Sequence, residues 1–206
     1  MVWITLFKAT PGQYAGGGGG LVTMLSQGSP VRWSAPEGRW TRPDLHLFPP
    51  DGHRYEIVDG SLHVTPPPGP QHDALVEAVV ATLRAAAPPE WWVCSRLGVA
   101  LETSSLVPDV TVLRPRSSGS IWADPRDVAL IVEVESGETR RYDRLLKPAV
   151  YAAEGIPGYW RVESGPVLRV FTLEDGAYLP GRDVGAGEQA ELGVPYPVRV
   201  NPAVWR

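Results

Sequence analysis

A single cysteine, Cys94, stands in 206 residues, so no internal disulfide can staple the fold and the chain fits a reducing, cytoplasmic compartment. Its neighbours suit a small, buried apolar residue in a strand. No apolar run approaches the roughly 20 residues that a spanning helix needs, so a helical membrane protein is not expected. The opening stretch MVWITLFKATPGQYAGGGGG has Lys8 inside its short apolar part and no A-x-A cleavage site, which makes it a poor secretory signal. Basic charge is not in excess either. With 19 Lys and Arg against 23 Asp and Glu, the formal charge is −4, which argues against a uniformly basic, nucleic-acid-coating surface but leaves room for a local basic groove. No internal repeat is found, and the length suits one domain with an extension.

What is abundant is unevenly spread. Gly16 to Gly20 form an unbroken run, and Ser, Pro and Gly dominate to about Pro50. Such a stretch buries too little side chain to offset the ordering of its backbone. Residues 1–50 are therefore expected to be a flexible extension and residues 51–206 the folded domain. The glycine codons upstream of Val22 and Met24 also resemble a purine-rich ribosome-binding site read through in frame. On that reading the natural start lies near Met24, and residues 1–23 are a start-site artefact.

From His53 the pattern becomes regular. HRYEIVDGSLHVT reads as a hairpin turned at Asp59-Gly60, a dipeptide that accepts positive φ at both central positions. PQHDALVEAVVATLRAAAPP puts Leu75, Val76, Val79, Val80 and Leu83 on one helical stripe, started near Pro70 and stopped by Pro88-Pro89. WWVCSRLGVALE, LVPDVTVLRP and VALIVEVES are β-rich, the last apolar enough for a central strand covered on both faces. RRYDRLLKPAVYAAEG is a second helix with Leu145, Leu146, Ala149, Val150 and Ala153 as its expected apolar face. Pro148 must kink this helix or sit in its first turn, and Gly155 suits its C-cap. GYWRVE and a hairpin about Asp175-Gly176 complete an α/β (α+β) layered domain with an additional N-terminal hairpin.

In a strand, residues i and i+2 share a face, so Glu133 and Glu135 point the same way. Asp109 lies in the preceding β run. If those two strands pair, Asp109 and Glu133 meet at one end of the sheet, where two carboxylates repel unless a proton or a cation lies between them. Mg²⁺ or Mn²⁺ suits such oxygen donors and would support phosphodiester hydrolysis. The competing reading makes Glu133 and Glu135 edge-strand charges that discourage aggregation. Gln71 and His72 open the first helix, where backbone N–H groups favour a phosphate; a purely local structural role competes for His72. The eight tryptophans suit core and edge packing, with Trp122, in a polar loop, left open as a base-stacking residue.

YEIVDGSL (55–62), PGPQH (68–72), VPDV (107–110), VEVES (132–136), YDRLLKPAVYA (142–152) and GIPGYW (155–160) together resemble, over roughly residues 52–202, the Uma2 family, classed with restriction endonucleases. The resemblance implies the restriction-endonuclease-like PD-(D/E)xK fold, a mixed β-sheet core flanked by helices. It implies Asp109 and Glu133 as metal ligands and catalytic residues. Glu135 stands where that motif carries its lysine, and the matching cation is Lys147 on the following helix; a surface pair with Asp143 at i−4 is the alternative. Glu56 is a further catalytic candidate, against a simply solvated hairpin face. Tyr151, four residues beyond Lys147, either supports it or belongs to the core. The implied cofactor is Mg²⁺ or Mn²⁺, the implied partner DNA, and a homodimer is a candidate assembly. One departure is plain: the family's Ser-Pro-Ser-Thr-like turn after the glutamate reads here Glu135-Ser136-Gly137-Glu138-Thr139. The added acids bind a second cation or mark weakened chemistry. The expectation is a Mg²⁺-dependent endonuclease acting on DNA; its rival is a catalytically silent nuclease-fold module that binds nucleic acid or a protein partner.

Overall fold

The computed structural model describes residues 38–115, 120–136, 142–165 and 167–205, and the backbone alone of 5–6, 21–26, 29–34, 142 and 143. The glycine run at 16–20 and the acid at Glu138 lie outside the described residues. The chain forms two units, Met1–Pro67 with Thr103–Leu106, and Pro68–Glu102 with Val107–Arg206.

The first unit holds β1 (Thr5–Leu6), β2 (Leu21–Ser26), β3 (Ser29–Ser34), β4 (Arg54–Val58) and β5 (Ser61–Thr65). β2 and β3 pair as an antiparallel hairpin, β1 lies antiparallel on β5, and β4 and β5 form the expected hairpin. Its turn has Asp59 at φ +50° and Gly60 at φ +75°, the left-handed pair that a two-residue loop on twisted strands requires. Residues 38–50, assigned to the extension by composition, are built into this unit. Trp40 is buried with Ile57, Leu62 and Val64, its backbone N–H donates to the Gly60 carbonyl at 2.9 Å, and Phe48 stacks on Tyr55. One buried tryptophan removes enough apolar surface from water to order a short segment whose average composition suggests none.

The second unit begins with α1 (Pro70–Ala86), β6 (Trp92–Ser95) and β7 (Gly98–Ala100). β8 (Ser105–Leu106) returns to the first unit beside β4. β9 (Val110–Leu113), β10 (Trp122–Ala123), β11 (Val128–Val134), α2 (Lys147–Ala153), β12 (Gly158–Glu163), β13 (Val167–Glu174), β14 (Ala177–Val184), β15 (Ala190–Leu192) and β16 (Val198–Val200) follow. The main sheet runs β14-β13-β12-β11-β9-β6 and is mixed: β11 and β12 are parallel, and the other neighbours are antiparallel. The parallel pair demands a crossover, and α2 supplies it. The run WWVCSRLGVALE is two strands rather than one, broken at Arg96 with φ +52°. Trp122 packs its ring on Gly98, where a Cβ would come within 2.4 Å of it; this is a packing role, and it requires glycine.

β11 lies between β9 and β12 and is buried along its whole length, which rules out the edge-strand reading of Glu133. Its Leu130, Val132 and Val134 join Val76, Val79, Val80 and Leu83 of α1 in the main core. Each such aliphatic side chain contributes about 1.5–3 kcal/mol on burial. The other face carries Ile131 and Glu133 beneath α2. No described helix is long and apolar enough to cross a membrane.

α2 departs from its expected face. Tyr142–Leu146 form a wide π-helical turn, and Pro148 falls in the first turn of the α-helix that follows. The missing proline N–H is tolerated there. The widened turn changes the angular register, so Leu145 is 70% exposed while Lys147, Tyr151 and Ala152 are buried. Gly155, at φ +74°, ends the helix, with Ile156 N–H donating to Tyr151 O and Gly155 N–H to Ala152 O, a left-handed C-cap.

Candidate active site

Antiparallel pairing sets Val110 against Val132; one step further, Asp109 stands across from Glu133 at the sheet end. Asp109 is 1% exposed, and its Oδ2 accepts the Val134 N–H at 2.8 Å. The carboxylate thus replaces a ladder carbonyl where the pairing stops. His72, in the first turn of α1, turns inward. Its Nε2 lies 3.1 Å from Val134 O and 3.3 Å from Asp109 Oδ2. A carbonyl only accepts, so Nε2 carries the hydrogen and the tautomer follows from the geometry.

Glu133, fully buried, is held from α2. Its Oε1 accepts from Lys147 Nζ at 3.0 Å and from the Tyr151 hydroxyl at 2.9 Å. Lys147 and Tyr151 are i and i+4 on one helical face, so both reach the same carboxylate. Lys147 is 2% exposed and pairs with Glu133, so it is not a surface lysine; the side chain of Asp143 lies outside the described residues. Beneath Tyr151 lie Tyr159, Phe171 and Tyr178, in ring contact with one another through Tyr159. This apolar floor keeps water from Glu133 and strengthens its bonds.

Glu135 has an environment that sequence reasoning did not anticipate. Its side chain is 1% exposed, and Arg144 grips it through Nε and through Nη2, the latter at 3.0 Å. Arg161 Nε approaches from β12 at 3.1 Å. Glu163 then accepts from Arg161 Nη2 at 2.9 Å, and Arg144 Nη2 and Arg169 Nε each lie 3.2 Å from it; Arg169 also meets Asp183. Glu135, Glu163 and Asp183 thus balance Arg144, Arg161 and Arg169. The alternation Arg161-Val162-Glu163 was the available signal, since i and i+2 share a face; what it lacked was the register that sets β12 beside β11.

Burial acts to raise the Glu163 carboxyl, but hydrogen bonds and charge from Arg161 and Arg169 outweigh it and hold it below its usual range. A depressed folded pKa adds stability above the unfolded value and loses it as pH falls through the folded one. The melting temperature of the wild type should therefore drop from about pH 5 to about pH 3. Glu163→Gln should melt lower at pH 7 and lose less across that window; parallel melting curves for the two proteins would refute the coupling.

A pocket of about 390 Å³ opens beside these groups, lined among others by Gln71, His72, Val134, Glu135, Glu163 and Gly165. Gln71 is exposed there at the start of α1. Glu56 lies in β4 of the first unit, 2% exposed and across from His63; it is not a solvated hairpin residue. Among the described residues no three His, Cys, Asp or Glu side chains form a metal-holding group.

The Uma2 family model, described as "Putative restriction endonuclease", matches residues 42–200. A solved structure described as "a putative nuclease belonging to DUF820 from Anabaena variabilis" matches with a TM-score of 0.53 at 17% identity, over 74% of this chain and 88% of that one. At that identity the likeness is one of fold. No curated protein matches the sequence.

Proposed function

Because this chain belongs to the Uma2 family, we propose that it is a divalent-metal-dependent endonuclease that hydrolyses phosphodiester bonds in DNA. The observation that carries the reading is the buried Glu133–Lys147–Tyr151 cluster next to Asp109. Burying an ion pair costs desolvation that its attraction barely offsets, and an apolar trio of similar volume would serve stability as well. A lysine and two carboxylates kept buried at a sheet end are better explained by chemistry.

The donor chemistry of Asp109 and Glu133 fits a hard divalent cation, since both are buried carboxylates at neighbouring strand ends and Mg²⁺ or Mn²⁺ takes oxygen ligands. When bound, such an ion polarises the phosphodiester and lowers the pKa of a water. Lys147 supplies the ammonium that stabilises charge developing on the phosphate, the task the motif's lysine performs elsewhere. Tyr151 fixes the Glu133 carboxylate, and the His72 N–H with the Val134 N–H fixes that of Asp109. Holding these groups in advance spares reorganisation during the reaction.

A panel of single- and double-stranded DNA incubated with Mg²⁺ or Mn²⁺, with a chelator control, tests the reading. Cleavage that the chelator stops is expected, and Lys147→Met should lower its rate on the order of a hundredfold to a thousandfold. Absence of cleavage on every substrate would favour the silent binding module. The acid at position 135, where the motif has lysine, is the observation that keeps that second reading in view.

A further inference from the structure

We propose that Arg144 is a substrate-phosphate contact, and that Glu135 is the residue that positions it; the inference rests on the nuclease reading and names how the same site holds its substrate. At the position of the motif's lysine this chain has an acid, but the acid is not bare. Both Glu135 oxygens are engaged, by Arg144 and Arg161. A carboxylate that grips an arginine through two parallel bonds fixes the guanidinium plane as well as its location.

The arginines around Glu135 and Glu163 differ in what they leave available. Arg161 is 12% exposed, covered by the sheet, with its guanidinium carbon 5.2 Å from the Phe171 ring centre. Its charge serves the interior. Arg169 is turned to Glu163 and Asp183, away from β11 across the sheet. Arg144 is 40% exposed, bonds through Nε and Nη2, and has no described partner at Nη1. Arginine carries five N–H donors and no acceptor, so its outer edge can still receive a phosphate oxygen. Its location supports the assignment. Arg144 sits in the wide turn directly before α2, three residues ahead of Lys147, and it joins Glu135 to Glu163, two walls of the pocket beside His72. A DNA strand whose scissile phosphate reaches Lys147 would bring a phosphate near Arg144. Arg144, held on Glu135, thus adds a second positive group to the ammonium of Lys147.

Binding measured apart from cleavage tests this. A fluorescein-labelled DNA duplex is titrated in Ca²⁺ and, separately, in chelator, at several salt concentrations. Arg144→Ala is expected to weaken binding about tenfold to a hundredfold and to reduce the salt slope by about one phosphate contact. Glu135→Gln provides the opposing-sign test. Removing an acid from a DNA-facing surface should tighten binding by simple electrostatics, whereas a lost anchor for Arg144 should weaken it, and weakening is expected. Arg144→Lys keeps the charge without the fork and should recover only part of the affinity. Melting curves taken alongside exclude unfolding as the cause. Wild-type affinity and slope in Arg144→Ala, or tighter binding by Glu135→Gln, would overturn the proposal alone. A wild type that neither binds nor cleaves any DNA would remove the nuclease reading and this proposal with it.

Discussion

Lys147→Met is expected to destabilise the protein by about 3–5 kcal/mol, the range for stranding one member of a buried ion pair. Glu133 and Lys147 are both at the sheet's covered face, their side chains 1% and 2% exposed, with Nζ 3.0 Å from Oε1. Methionine fills much of lysine's volume but offers no donor, and the Tyr151 hydroxyl alone must then satisfy a charged carboxylate under α2. Glu133→Ala should be comparably costly, because it leaves a buried ammonium and a cavity. Mutual repulsion of two carboxylates would make the loss of one harmless; the ion pair with Lys147 makes the loss of Glu133 costly. The decisive protein is the double variant Glu133→Gln with Lys147→Met, which removes both charges and should recover most of the loss. Urea unfolding of wild type, Glu133→Gln, Lys147→Met and the double variant at neutral pH measures the cycle. Equal stability of wild type and Lys147→Met would mean that the pair is solvated, and independent effects of the two substitutions would mean that it is not a pair.

Asp109→Asn is expected to lower metal-dependent cleavage at least about a hundredfold while leaving the melting temperature within a few degrees of wild type. Asparagine keeps the size and an amide oxygen that can take the Val134 N–H now bonded at 2.8 Å. It removes the negative charge that a hard cation needs. Asp109→Ala must do more: it leaves a buried backbone N–H without its acceptor, at about 1–3 kcal/mol. The two variants therefore separate chemistry from structure. Calorimetry with Mn²⁺ and single-turnover cleavage are the measurements. Undiminished Mn²⁺ binding in Asp109→Asn would take Asp109 out of the metal set, and undiminished cleavage would take it out of the mechanism.

Much of the architecture was legible from local pattern. The stripe of Val76, Val79, Val80 and Leu83 marks the buried face of α1 at helical spacing, and Asp59-Gly60 and Asp175-Gly176 take the positive φ that hairpins require. The apolar run from Val128 to Val134 announces a doubly covered strand, and Gly155 ends α2. These features depend on neighbours a few residues away, which is the distance over which periodicity and turn chemistry act. The ordered motifs also led to Asp109, Glu133 and Lys147 as a group, and pairing register and helix placement bring each of them to the same end of the second unit's sheet.

The tertiary structure decided what depends on distant partners. Whether Leu145 or Tyr151 faces the sheet follows from one widened turn, and an apolar stripe alone does not reveal such a shift in register. The burial of Trp40 depends on the hairpin it covers, so composition averaged over residues 1–50 could not indicate it. Above all, the sequence by itself determined that an acid replaces the expected lysine at position 135, but not what becomes of its charge. Arg161 reaches Glu135 only because β12 lies parallel to β11, and Arg144 only because the crossover returns along that face. An electrostatic partner is defined by distance in space, and register, not sequence separation, sets that distance.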